Sequence, residues 1–175
     1  NWAAWTPDIR NKKENIETPS IPSAIKRRCS DLSKMALEIS HQALNQHTLD
    51  YAVFCSQHGE LNNTVELLKN IYDKEILSPT RFSQSVHNTA AGLFSVIHKL
   101  QQNITSIAAG EETFLMGMRD AITWLELNPK KTVLLTMFDT NIPKEYNSLN
   151  IEDNNNYAIS LLLTNILNFF FIFLF

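Results

Sequence analysis

The sequence predicts a layered α/β fold, and three observations carry that reading. The run at 51–56 is short and nearly continuously apolar, as a strand buried in a parallel sheet is, and 103–109 and 131–138 also read as strands. The stretches between them carry apolar residues at helical spacing. The resulting order is helix, strand, helix, helix, strand, helix, strand, loop, strand, the alternation of packed α/β layers. The chain has 175 residues, 44% of them hydrophobic and 19% charged, enough for one domain or half of a two-lobed one.

The elements follow in order. Residues 1–29, with Trp2, Trp5, Pro7, Pro19 and Pro22, read as an irregular, partly packed lead-in. Ser30 caps a helix running to about Gln46, with Leu32, Met35, Ala36, Ile39 and Ala43 on one face. A strand at 51–56 ends before Gly59. Asn63 or Thr64 opens the next helix, which carries Val65, Leu67, Leu68, Ile71 and Tyr72 to about Asp73. Ser78-Pro79-Thr80 starts a further turn with Pro in a first helical position. The helix at 89–100 buries Ala90, Ala91, Phe94, Val96 and Ile97, and its Gly92 predicts close approach of another backbone. A strand at 103–109 turns at Gly110 into a helix from Glu111 to about Leu127, with Phe114, Leu115, Met118, Ala121, Ile122 and Leu125 as its buried stripe. Asn128-Pro129 stops it. The strand at 131–138 is the clearest in the chain, 139–152 reads as loop, and 157–163 as a last strand.

Charge and cysteines narrow the function classes. Fifteen Lys and Arg against eighteen Asp and Glu leave a net charge of -3, with one basic cluster, Lys26-Arg27-Arg28. Binding by phosphate neutralisation needs a basic excess, so nucleic acid is set aside. Cys29 and Cys55 cannot build a disulfide framework and show no zinc spacing, which points to a reducing, cytoplasmic setting. No metal or other cofactor is expected. No secretory signal is read at the start. The apolar run at 159–175, interrupted by Ser160, Thr164, Asn165 and Asn168, is short of a spanning helix. Its readings are a core strand with trailing residues, a truncated end or, less favoured, a membrane anchor.

No phosphate-cradling glycine loop and no Gly-x-Ser-x-Gly elbow is present. His58 follows a strand at the carboxyl edge, where α/β sheets place ligands, and is a candidate contact. His87, with Asn88, precedes a helix and is a candidate ligand or partner contact. Cys55 sits in an apolar strand and reads as inert. Cys29 follows three cations that would lower its pKa. Asp139 ends a strand and reads as a turn cap. The strand–Gly110–helix junction is a mount for a nucleophile, because a helix N-terminus stabilises a thiolate or oxyanion. The candidate elbow is Ala109, Gly110 and Glu111, and it holds no Cys or Ser. Ser106, the nearest hydroxyl, lies within the strand. No catalytic residue is assigned.

Several stretches resemble the β-ketoacyl synthase-like N-terminal domain family. They are Phe54-Cys-Ser-Gln-His-Gly-Glu60, Leu77-Ser-Pro-Thr-Arg-Phe-Ser-Gln-Ser-Val-His-Asn88, Ala90-Ala-Gly92 and Ala108-Ala-Gly-Glu-Glu-Thr-Phe114. Pro22, the stretch from Lys26 to Ala36, and Val133-Leu-Leu-Thr-Met-Phe-Asp-Thr-Asn-Ile-Pro143 extend the resemblance over about 2–146. It implies a thiolase-like layered α/β/α fold, the N-terminal half of a ketosynthase, with the domain at 30–146 and an Asn-rich loop and apolar tail at 147–175. Condensing enzymes of that fold carry a cysteine at the elbow and two histidines from the second half. The missing cysteine makes this chain resemble the chain-length-factor-like partners of fatty acid, polyketide or aryl-polyene assembly. Implied partners are a ketosynthase subunit and acyl carrier protein, with homo- or heterodimer pairing through strand 103–109. The alternatives are a condensing or decarboxylating enzyme using Ser106, Cys55 or Glu111, or a truncated inactive product.

Overall fold

The computed structural model describes residues 1–6, 16–149 and 156–164. Five strands form one sheet: β1 (Trp2–Trp5), β2 (Tyr51–Cys55), β3 (Asn103–Ile107), β4 (Thr132–Asp139) and β5 (Tyr157–Thr164), in the order β1-β5-β4-β2-β3. β2 runs parallel to β3 and to β4. β5 returns antiparallel to β4, and β1 pairs antiparallel with β5. Helices are α1 (Ser23–Lys26), α2 (Asp31–Leu44), α3 (Leu61–Tyr72), α4 (Pro79–Ser83), α5 (Thr89–His98) and α6 (Thr113–Leu127).

The side-chain alternation of β2 and β4 sorts the core into two layers. On one face Ala52, Phe54, Leu134, Phe138, Ala158 and Leu162 meet α2 and α5. Phe54 is the hub there, with ring centroids 5.3 Å from Phe94 and 6.1 Å from Phe138. On the other face Tyr51, Val53, Cys55, Val133 and Leu135 meet Met118, Ala121 and Leu125 of α6. Both faces of β2 are covered, which is why its sequence is continuously apolar rather than alternating.

Ser30 caps α2 by accepting the Ser33 amide at 3.0 Å, and Asn45 closes the helix in the left-handed conformation at φ 39°. Buried Glu38 on α2 accepts the amide and hydroxyl of Ser20 at 3.1 and 3.0 Å, which ties the preceding segment to the helix. The lead-in is therefore less irregular than its composition implies: it supplies β1 and α1, and only residues 7–15 of it lie outside the described ones.

Further differences have local causes. α3 starts at Leu61, two residues before Asn63, with Glu60 at the N-cap. The strand–helix junction holds an extra 3-10 turn, Gly110–Glu112, before α6, and a second 3-10 turn, Lys144–Leu149, lies inside the expected loop. Val96 on α5 and Phe114 and Leu115 on α6 are exposed rather than buried. Gly92 meets nothing: an added Cβ there would have no neighbour within 4 Å. The close approach is at Gly117, whose added Cβ would lie 2.1 Å from Cys55 Sγ. Of the 159–175 run, 159–164 belongs to β5, and the rest lies outside the described residues.

Candidate functional site at the carboxyl edge of the sheet

The parallel registers place Cys55 beside both Ile107 and Met137, so β2, β3 and β4 end at one edge. Ser56, fully buried, ties that edge together. Its amide donates to the Ile107 carbonyl at 3.1 Å, joining the ends of β2 and β3. Its hydroxyl donates to Asp139 Oδ1 at 2.7 Å and accepts the Gly59 amide at 2.7 Å. Asp139 ends β4 and is also buried. It takes the amides of Gln57 at 2.9 Å and His58 at 3.1 Å, and the Tyr157 hydroxyl at 3.3 Å. Burial first, then the neighbouring Asp139 charge, push the Tyr157 hydroxyl up, so it stays a neutral donor. Four donors converge on one carboxylate, which makes Asp139 a strut for the 56–59 turn.

His87 is held by the same turn. Its Nε2 lies 2.7 Å from the Ser56 carbonyl. A carbonyl only accepts, so Nε2 carries the proton in that bond. The imidazole packs on Gly59, at φ +53°, where an added Cβ would lie 2.7 Å from His87 Cδ2. His58 reaches the same edge through its amide, while its buried Nε2 has no hydrogen-bond partner. Asn88 is the N-cap of α5 without a side-chain cap bond. The structure thus brings His58 and His87 to the end of β2, and Ser56 connects them to the end of β3.

The elbow follows two residues after β3. Ala109 leads into Gly110 at φ +56°, the left-handed conformation that glycine adopts without steric cost. Buried Thr113 closes the turn: its Oγ1 accepts the Ala109 amide at 2.9 Å and donates to the Gly110 carbonyl at 2.6 Å. The Ala109 N–H is thereby used internally rather than offered to an oxyanion. Glu111 and Glu112 are exposed at the first turn and set two carboxylates where a nucleophilic elbow needs positive potential.

Neither cysteine lies at the strand–helix junction, and both are buried. Cys55 lies fully buried beneath Gly117, and burial pushes its thiol up to about 12. Cys29 departs from the sequence expectation: burial outweighs the neighbouring Lys34 and raises its thiol to about 11, and Sγ contacts the Ile25 carbonyl at 3.3 Å. Burial decides the thiol even though Arg27 and Arg28 line the same cavity as Cys29.

Beside the elbow strand, α5 and β3 bound a groove of about 520 Å³, lined by Asn88, Gly92, Ser95, Ile104 and Ser106 among others. β3 is the last strand of the sheet, and one of its edges has no strand partner among the described residues. Among the described residues, no group of three or more His, Cys, Asp or Glu is placed to hold a metal ion. No helix among them is long and apolar enough to cross a membrane.

A sheet of this order, with a strand-to-helix elbow at its carboxyl edge, defines a thiolase-like, ketosynthase-type layer. The profile of the family described as "Beta-ketoacyl synthase, N-terminal domain" matches residues 2–170, and the chain belongs to that family. The match passes beyond 146 and takes in β5, which lies inside the sheet between β1 and β4. No curated protein matches the chain at a significant level. Among solved structures it is similar to a chain of the ketosynthase (ApeO) in complex with its chain length factor (ApeC) from Xenorhabdus doucetiae. That likeness has 27% identity and a TM-score of 0.84, over 94% of this chain and 77% of the other. It is similar in fold to the ishigamide ketosynthase/chain length factor (14% identity, TM-score 0.71, 92% of this chain and 60% of that one). A β-ketoacyl synthase from Burkholderia phymatum STM815 shares the fold at 11% identity and TM-score 0.71, over 93% of this chain and 52% of its own. The chain is thus a β-ketoacyl synthase-like protein.

Ser56, Thr113 and Gly117 hold this edge, and sequence reasoning had not singled them out for it. A signal existed for Ser56: a serine three residues before a glycine is a common hydroxyl-capped turn.

Proposed function

We propose that this protein is a non-catalytic, chain-length-factor-like partner of a ketosynthase in fatty acid or polyketide assembly of the aryl-polyene kind. One observation carries the reading: Ala109 stands at the elbow, its amide is consumed by Thr113, and Glu111 and Glu112 are exposed in the turn that follows. A thiolate, an oxyanion or a carboxylated extender would each meet like charge there. The similarity to a structure of a ketosynthase with its chain length factor supports the pairing. The partner docks along residues 103–109, where the free edge of β3 offers unpaired backbone groups and Gly92 leaves room beside it. His58, His87 and Asn88 contact the partner or its ligand, and Ala109, Gly110 and Glu111 form the elbow beside them. The assembled pair acts in the cytoplasm on thioesters delivered by acyl carrier protein.

The test is condensation of acyl and malonyl thioesters on carrier protein. The purified chain alone is expected to give no β-ketoacyl product, and the co-expressed pair with a cysteine-bearing ketosynthase is expected to give it. Turnover by the chain alone refutes the proposal.

A further inference from the structure

α2 and α5 pack side by side and end at the same side of the sheet, opposite the elbow. His41 lies in the last turn of α2, and His98 is the last residue of α5. Their ring centroids are 5.3 Å apart, and the His98 ring lies 4.3 Å from that of Phe94. Together with His47 they line a cavity of about 430 Å³ whose walls are otherwise Leu44, Gln46, Thr48, Leu49, Leu100 and Gln102. Among the described residues no carboxylate lines it. The His98 ring meets that of His41 from α2, and His47, from the turn after α2, is the other titratable group in the lining among the described residues. β2 presents Ala52 and Phe54 to this layer, and β3 presents Ile104 and Ser106 toward α5.

We propose that the His41–His98 contact is a pH-sensitive clasp between α2 and α5, closed while the imidazoles are neutral and loosened when both are protonated. Two imidazoliums at this separation repel, and among the described residues no acid lines the cavity to compensate. The carbonyls at the two helix ends and the Phe94 face favour a cation. They are outweighed at His98, whose pKa burial lowers first and His41 lowers further. The sign follows. The folded state holds the proton of His98 less tightly than the unfolded chain does. The clasp is therefore fully stabilising above the usual histidine range and loses its contribution as pH falls through that range.

The test is amide exchange of the full chain at residues 96–100, corrected for intrinsic rate, at pH 7.5 and 5.5. The wild type is expected to lose protection about three- to tenfold at pH 5.5 relative to amides in β2 and β4. His41→Gln is expected to remove part of that loss, with burial of His98 against Phe94 retaining the rest. His98→Gln is expected to abolish it, and if that variant fails to fold, His41→Gln alone carries the test. His47→Gln is expected to behave as wild type. Protection that is independent of pH in the wild type, an unchanged loss in His41→Gln, or a loss that disappears in His47→Gln overturns the proposal.

Discussion

Substituting Gly117→Ala probes the contact that seats α6 on the sheet. The added Cβ would lie 2.1 Å from Cys55 Sγ and 3.2 Å from Leu135 Cδ1. Ordinary contact begins near 3.4 Å, so the sulfur and the helix must separate by about 1.3 Å, in a core where Cys55 is fully buried. Overpacking of this kind costs about 1–3 kcal/mol, and a clash this deep belongs at the upper end. Alanine returns about 1 kcal/mol of helix propensity. The net expectation is a loss of about 2 kcal/mol, a fall in Tm of about 4–8 °C for a chain of this size. Cys55→Ala removes the obstructing atom and leaves its Cβ at 3.6 Å, an ordinary contact. Alone it should cost about 1 kcal/mol for the deleted buried atom. The double variant should then be no less stable than Gly117→Ala, a coupling of at least about 1 kcal/mol in a double-mutant cycle read by urea unfolding. If Gly117→Ala is neutral or stabilising, or if the two losses simply add, α6 is not held through this contact.

Three further outcomes follow from the same structure. Asp139→Ala should strand the Ser56 hydroxyl and the amides of Gln57 and His58, and lower stability by about 3 kcal/mol or more in thermal unfolding. Tyr157→Phe, which removes a single 3.3 Å bond, should cost under about 1 kcal/mol. Glu60 is buried, and that burial raises its pKa against the opposing hydroxyls of Ser33 and Ser30, at 2.6 and 2.7 Å. A raised carboxyl favours folding at acid pH and loses that contribution as pH climbs through its folded value, so Glu60→Gln should gain stability relative to wild type as pH rises above about 4.5. Cys29 and Cys55, raised to about 11 and about 12, should both resist iodoacetamide at pH 8 in the native chain and react on unfolding, as mass spectrometry would read.

β2 was legible because burial on both faces leaves no polar positions: Tyr51 to Cys55 reads as one apolar word, and the structure buries every residue of it. β1 was not legible, because an edge strand of Trp-Ala-Ala-Trp becomes a strand only through its pairing with β5, more than 150 residues later. Gly92 and Gly117 show the same limit within helices. Either could mark a close approach, and only the orientation of each helix on the sheet decides that α6 presses on Cys55 while α5 leaves Gly92 open. At the site, the elbow was marked by Gly110 after an apolar strand, and its lack of a nucleophile could be read directly. The web that supports it was not, since Ser56 and Asp139 stand 83 positions apart and neither carries a motif. Cys29 reverses the reading from its neighbours because its own burial, not the adjacent cations, dominates the thiol.

The central claim is that this chain works by pairing rather than by its own chemistry, and native mass spectrometry of the tagged chain recovered from its own cells tests it most directly. The account predicts a one-to-one complex with a ketosynthase that carries a cysteine at its elbow. A homodimer of this chain that forms β-ketoacyl product without any second protein would contradict it.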